Sequence, residues 1–304
     1  MPVAHAQHFP AKPIHFVIGS APGSVIDVVT RQIAEGLARE LQQPVVVENR
    51  FSAGGIVALE TLKSTPPGGY TLSVVAMPQM SVSPSLFKQL PYDPVKDFTP
   101  IGILYRGPQF LVVNSSVRAA SLTDLIAYAR AHPGRLRYSS PGNGTPSHVL
   151  MEQFKHEANI DVQHIPYKGP SANTAVLSGE VDALLEGVGP MIPYVRSGAL
   201  RALAVTGSRR VDMAPEVPTF EELGIKGVDA VWVGVIAPRD LKEPVVSAFH
   251  QALSKALQDP GLRASFEAAG RTIHLSTPEE MTAVITEEIP RWREVVQRAG
   301  IAPQ

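Results

Sequence analysis

Apolar runs of strand length alternate along this chain with stretches whose apolar residues recur at helical spacing, and this alternation limits what it can fold into. Residues 14–20 are apolar and rich in branched side chains, and Ala21-Pro22-Gly23-Ser24 breaks the run. Val25, Val28, Val29, Ile33, Leu37 and Leu41 then follow at helical spacing, with Ser24 as N-cap and Asp27 in the first turn, where negative charge favours the helix dipole. The same succession of strand, loop and helix returns at 44–63 and, after a Pro-Pro-Gly-Gly turn, a strand spans 70–76. Such alternation predicts an α/β fold with mainly parallel sheets flanked by helices, whose ligand crevice lies beyond the carboxyl ends of the strands. The loops 21–24, 52–55 and 77–81 all fall at that edge.

A chain of 304 residues exceeds the usual size of one domain, which is about 100–200 residues. The strand-like runs 101–104 and 109–113 around Arg106-Gly107-Pro108 place a crossing there, and 232–237 reads as the return. Two lobes follow: residues 1–104 with 232–304, and residues 105–231. The second lobe also alternates. A helix starts at Ser121 and ends at Pro133-Gly134, strands span 162–166, 181–185 and 199–205, and Gly179 terminates a helix. The end of the chain is helical over 243–257, 260–269 and 278–299, the last with the capping box Thr277-x-x-Glu280 and with Pro290, which should kink it. A cleft between two such lobes is a favoured small-molecule site.

The stretch 138–155, YSSPGNGTPSHVLMEQFK, reads as strand, glycine-bent loop and helix start in direct succession. The first N–H groups of a helix lack intrahelical acceptors and lie at the positive end of its dipole, so a carboxylate or phosphate can sit there without a cationic side chain. Gly142 and Gly144 permit the tight turns that aim several amides at one point, while Ser139, Ser140, Asn143, Thr145 and Ser147 add short hydrogen-bonding side chains. The plain alternative is a polar loop capped by Thr145 or Ser147. Glu186, at the end of strand 181–185, is either a partner for an ammonium or hydroxyl group or a solvated strand end. Asp27 has a comparable alternative as a helix-start charge.

Several function classes drop out. A net charge of −1 lacks the footprint of a nucleic-acid binder. No apolar run reaches the ~20 residues of a membrane span. Without cysteine there is neither thiolate chemistry nor a disulfide framework, and His148, His156 and His164 lack metal-site spacing, so no metal or other cofactor is expected. Gly142-Asn143-Gly144-Thr145-Pro146-Ser147 lacks the third glycine of a dinucleotide loop, and no nucleophile elbow accompanies Ser147, His148 and Asp182. At the N-terminus Ala4-His5-Ala6 has the small-x-small pattern of a secretory cleavage site, with a mature chain starting near Gln7 and most of the signal peptide missing.

Motifs along nearly the whole chain resemble the substrate-binding receptors of the tripartite tricarboxylate transporter family, the Bug-type periplasmic proteins. They include Lys12-Pro13-Ile14, the loop 22–27, QPVVVENR at 43–50, GYTL at 69–72, LPYDPVKDF at 90–98, GNGTPSH at 142–148, PYKG at 166–169, LRALAVT at 200–206 and EVPT at 216–219. The resemblance implies a two-lobe, type II-like periplasmic binding protein that closes on a small organic carboxylate and delivers it to membrane permease subunits, as a monomer and without catalysis. It implies that the loops 22–27 and 142–148 hold the carboxylate, which makes Gly23, Ser24, Asp27, Gly142, Asn143, Thr145, Ser147 and His148 the candidate contacts. Lys168 and Glu186 are further wall candidates. Met77 and Met80 stand where relatives often carry small polar residues, and such soft side chains suit a ligand with an aromatic or other apolar body. An α/β enzyme acting on a carboxylate or nucleotide, and a sensor without a transport role, are the alternatives.

Overall fold

The computed structural model describes residues 9–303, and the Ala4-His5-Ala6 pattern lies outside the described residues. In chain order the elements begin with β1 (Ile14–Ile18), α1 (Val25–Leu41), β2 (Val45–Asn49), α2 (Ile56–Lys63), β3 (Thr71–Ala76), α3 (Ser83–Leu86), β4 (Phe98–Gly107) and β5 (Gln109–Asn114). They continue with α4 (Leu122–Ala131), β6 (Arg137–Ser140), α5 (Pro146–Ala158), β7 (Gln163–Pro166), α6 (Ser171–Ser178), β8 (Ala183–Gly187), α7 (Val188–Arg196) and β9 (Leu200–Val205). The last are β10 (Val231–Pro238), α8 (Glu243–Ala256), α9 (Pro260–Ala268), β11 (Thr272–Ile273) and α10 (Pro278–Arg298).

The chain divides into two compact units. The first takes the chain up to Tyr105, Trp232–Ser265 and Ile273–Ile289; the second takes Arg106–Val231, Phe266–Thr272 and the chain from Pro290 onward. Everything after residue 231 was expected in the first lobe, so the two later segments of unit 2 are a correction. Their packing explains it. A Cβ at Gly189 would lie 2.9 Å from the Ala269 carbonyl oxygen, so the two backbones touch, and Arg291 pairs with Asp229 at 2.7 Å. α10 runs unbroken through Pro290, where the division falls.

In unit 1 the strand order is β11-β4-β10-β3-β1-β2, with β1 parallel to β2 and β3, and β10 antiparallel to β3. The sheet is therefore mixed: parallel where helices join the strands, antiparallel where the chain returns. α1 buries Val29, Ile33 and Leu37, but Val25 and Val28, part of the same periodic run, are 55% and 47% exposed. The expected loop after β3 is a π-helix, Pro78–Val82, that buries Met77 and Met80 in the core, where neither offers surface to a solute.

In unit 2 the order is β7-β6-β8-β5-β9, again mixed: β6 is parallel to β7 and β8, while β5 is antiparallel to β8 and β9. Because β6, β7 and β8 run the same way, the connections after them leave from one sheet edge and start α5, α6 and α7. Beneath them Phe110, Val112, Val176, Leu184, Val188 and Ile192 form a closed apolar core.

Unit 1 also buries a carboxylate. Glu288 accepts the Ser81 hydroxyl at 2.7 Å and the Trp232 indole N–H at 2.9 Å. A buried acceptor that loses a donor is destabilised, and the smaller ring also leaves a gap in the core, so Trp232→Phe should lower unfolding stability by at least about 1–3 kcal/mol, measured by urea denaturation.

Candidate functional site

Each unit presents one strand–loop–helix start of the kind expected to receive an anion. In unit 1 Ser24 caps α1, its hydroxyl oxygen accepting the Asp27 amide across a long 3.4 Å. Asp27 is buried and fully engaged. Its carboxylate accepts the Gly23 amide at 2.8 Å, the Arg31 guanidinium at 2.9 Å and the Asn49 side-chain amide at 2.8 Å. The Arg31 hydrogen bond first, then those from Gly23 and Asn49, hold its pKa down to about 2 against the opposing effect of burial. Asp27 and the Gly23 amide, both expected at the ligand, thus shape the loop from within. The amides of Val25 and Ile26 have no protein acceptor among the described residues, and the Ser24 hydroxyl proton has none either. A close approach fixes the loop's other side: a Cβ at Gly19 would fall 2.4 Å from the Gly55 Cα.

In unit 2 the loop between β6 and α5 bends at Gly142 and Gly144, whose φ angles of 139° and 75° lie in the region that favours glycine. The Gly142 carbonyl accepts the Thr145 hydroxyl at 2.7 Å and the Ser140 hydroxyl at 3.1 Å. Thr145 occupies the N-cap position without a side-chain cap, because its hydroxyl is turned back to that carbonyl. The amides at the start of α5, on Ser147 and His148, have no protein acceptor among the described residues. Asn143 is exposed beside them, and Ser147 lies buried at the first turn.

His148 departs from expectation. Its Nδ1 accepts the Gly144 amide at 3.0 Å, which places the ring proton on Nε2, and its ring stacks on His164 at 4.0 Å between centroids. His164 stacks on Tyr138 at 4.8 Å, and the Tyr138 hydroxyl donates to Glu152 at 2.5 Å. Burial pushes the Tyr138 phenol up, with the Glu152 charge adding to it. Lys168 is exposed on the loop that starts α6. Glu186 ends β8, where its carboxylate accepts the Gly187 amide at 2.7 Å and burial raises its pKa. Among the described residues no three metal-ligating acids or imidazoles cluster.

Which amides are already used is the information that the residues alone do not carry. Exposed apolar side chains at the carboxyl edge of unit 1 are a second feature missed. Beyond Val25 and Val28 they are Phe51 and Val57, at 71% and 46% exposure.

The two imidazoles give the fold a pH signature. Burial first, then the Lys155 charge, holds His148 down to about 4; burial and the neighbouring imidazole do the same to His164. The unfolded chain binds those protons near the ordinary value of 6.5, so it takes up more protons than the fold between the two values. Stability should fall as pH drops from 6.5 to 4, and below 3.8 the contribution of Asp27 is lost as well. Thermal unfolding against pH checks this, and His164→Gln should flatten the upper part of the profile.

The family model described as the tripartite tricarboxylate transporter family receptor matches residues 29–301. A UPF0065 protein from the gbd 5′ region of Cupriavidus necator is 35% identical, over 98% of this chain and 91% of its own. BugT of Bordetella pertussis is 34% identical, over 97% and 91%. Among solved structures, the periplasmic binding protein BugD aligns with a TM-score of 0.79 at 28% identity, covering 97% of this chain and 100% of its own. Rpa4515 of R. palustris with adipate aligns at 0.82 and 28%, with the same coverage, and MatC (Rpa3494) from Rhodopseudomonas palustris with bound malate at 0.78 and 30%, covering 95% and 100%. The fold is that of these two-lobe periplasmic binding proteins, and the chain belongs to the tripartite tricarboxylate transporter receptor family.

Proposed function

We propose that this protein is a periplasmic receptor that captures a small organic carboxylate and delivers it to the permease subunits of a tripartite tricarboxylate-type transporter. The carrying observation is the start of α5, where the amides of Ser147 and His148 stand without a protein acceptor among the described residues, beside Asn143 and the Ser147 side chain. Such a group attracts a carboxylate by aligned dipoles rather than by net charge. The unused Val25 and Ile26 amides with the Ser24 hydroxyl offer the same chemistry in unit 1. Adipate in one relative and malate in another support a dicarboxylate or hydroxydicarboxylate. Closure of the two lobes over the solute, as the sequence leads one to expect, completes the proposal. The apolar body that Met77 and Met80 were expected to meet falls instead to Val25, Val28, Phe51 and Val57.

A thermal-shift series with malate, succinate, adipate, benzoate and phthalate tests the reading. Binding stabilises by mass action, about 2.7 kcal/mol at a hundredfold excess over Kd. At least one of these acids should raise the melting temperature and be recovered chemically unchanged; no shift with any of them overturns carboxylate capture, and a response to short aliphatic acids alone overturns the apolar body. Gly144→Val should weaken capture about tenfold, because a branched side chain in a left-handed turn costs ~1–2 kcal/mol and re-aims the amides.

A further inference from the structure

Both loop glycines with left-handed φ are tied to one stack of aromatic rings, each through a different histidine. Gly144 donates its amide to His148 Nδ1 at 3.0 Å. Gly142 donates to the Ser140 hydroxyl oxygen at 3.2 Å, and that oxygen lies 2.6 Å from His164 Nε2. The two imidazoles are nearly parallel, 12° apart, and His164 in turn lies 22° from the plane of Tyr138. Three elements therefore supply the stack: α5 gives His148, β7 gives His164 and β6 gives Tyr138. Its far end is anchored as well, since the Tyr138 hydroxyl and the Lys155 ammonium both reach Glu152, Lys155 at 2.8 Å and 3.0 Å from its two oxygens. His148 is only 3% exposed, with Nδ1 occupied and one ring face covered.

We propose that His148 and His164 are positioning residues for ligand capture: they hold Gly144 and Gly142 so that the unused amides at the start of α5 converge on a carboxylate that neither imidazole touches. This rests on the carboxylate reading of the loop. The physical reason is preorganisation. A loop with two glycines samples many conformations, and a solute that had to order it would bind more weakly than one that meets it already ordered.

Two variants separate the tie from mere packing. In His148→Phe the ring persists to stack on His164, but Gly144 loses its acceptor; in His148→Asn the side-chain oxygen stands where Nδ1 was. Amide hydrogen exchange in the ligand-free protein should speed up at Gly144 by about tenfold in the Phe variant, the factor expected of one lost hydrogen bond. It should stay near wild type in the Asn variant, with Val149 and Leu150 unchanged in both. With whichever of malate, succinate, adipate, benzoate and phthalate the wild-type protein binds as the probe, affinity should fall about tenfold in His148→Phe and recover in His148→Asn. Equal exchange at Gly144 in all three proteins, or wild-type affinity in the Phe variant, overturns the proposal. A wild-type protein that binds none of these five acids overturns the carboxylate reading and the capture role with it, while the Gly144 exchange still shows whether the tie exists.

Discussion

A helix cannot satisfy the amides of its own first turn, and this chain places such turns at the carboxyl ends of its parallel strands. β1 leads into α1, and β6, β7 and β8 lead into α5, α6 and α7. The sheets supply direction. Because β6 is parallel to both of its neighbours, three helix starts share one edge of unit 2. What each start can offer then depends on how many of its donors the loop before it has already taken.

The two best-defined starts divide that labour differently. At α1 an acidic side chain, Asp27, gathers the Gly23 amide, Arg31 and Asn49 and leaves Val25 and Ile26 unused. At α5 no acid lies in the first turn, and imidazole and hydroxyl groups gather the glycines instead. At α1 the fixed negative charge near the amides is offset by Arg31 at 2.9 Å, whereas the α5 start carries no acid to offset.

Much of this was legible in the residues. Strand and helix spans follow from periodicity, Ser24 and Ser121 cap the helices where their side chains demand it, and the Thr277–Glu280 capping box forms with both of its hydrogen bonds. The glycine pattern at 142–144 marked the loop correctly as a turn. Illegible were the properties set by tertiary packing. Met80 looks like a wall residue because it follows a strand, yet a π-helix turns it into the core. His148 looks like a contact because it ends the polar GNGTPSH motif, yet the stack on His164 draws it inward. The division of the C-terminal helices between two units hinges on backbone approach at Gly189 and Ala269, which no periodicity reports.

The same stack explains why the loop keeps its shape without a fixed positive charge. Protonating His148 would place a cation near the proposed carboxylate site, but it would also remove the Nδ1 lone pair that holds Gly144. Burial and the Lys155 charge oppose that proton, so the neutral form and the ordered loop persist together near neutral pH. Attraction then comes from backbone amides that donate to the carboxylate, each such hydrogen bond worth about 1.5–3 kcal/mol net. A receptor that must hand its solute on is well served by several such modest contacts on a rigid frame, because rigidity raises affinity without deepening any one of them.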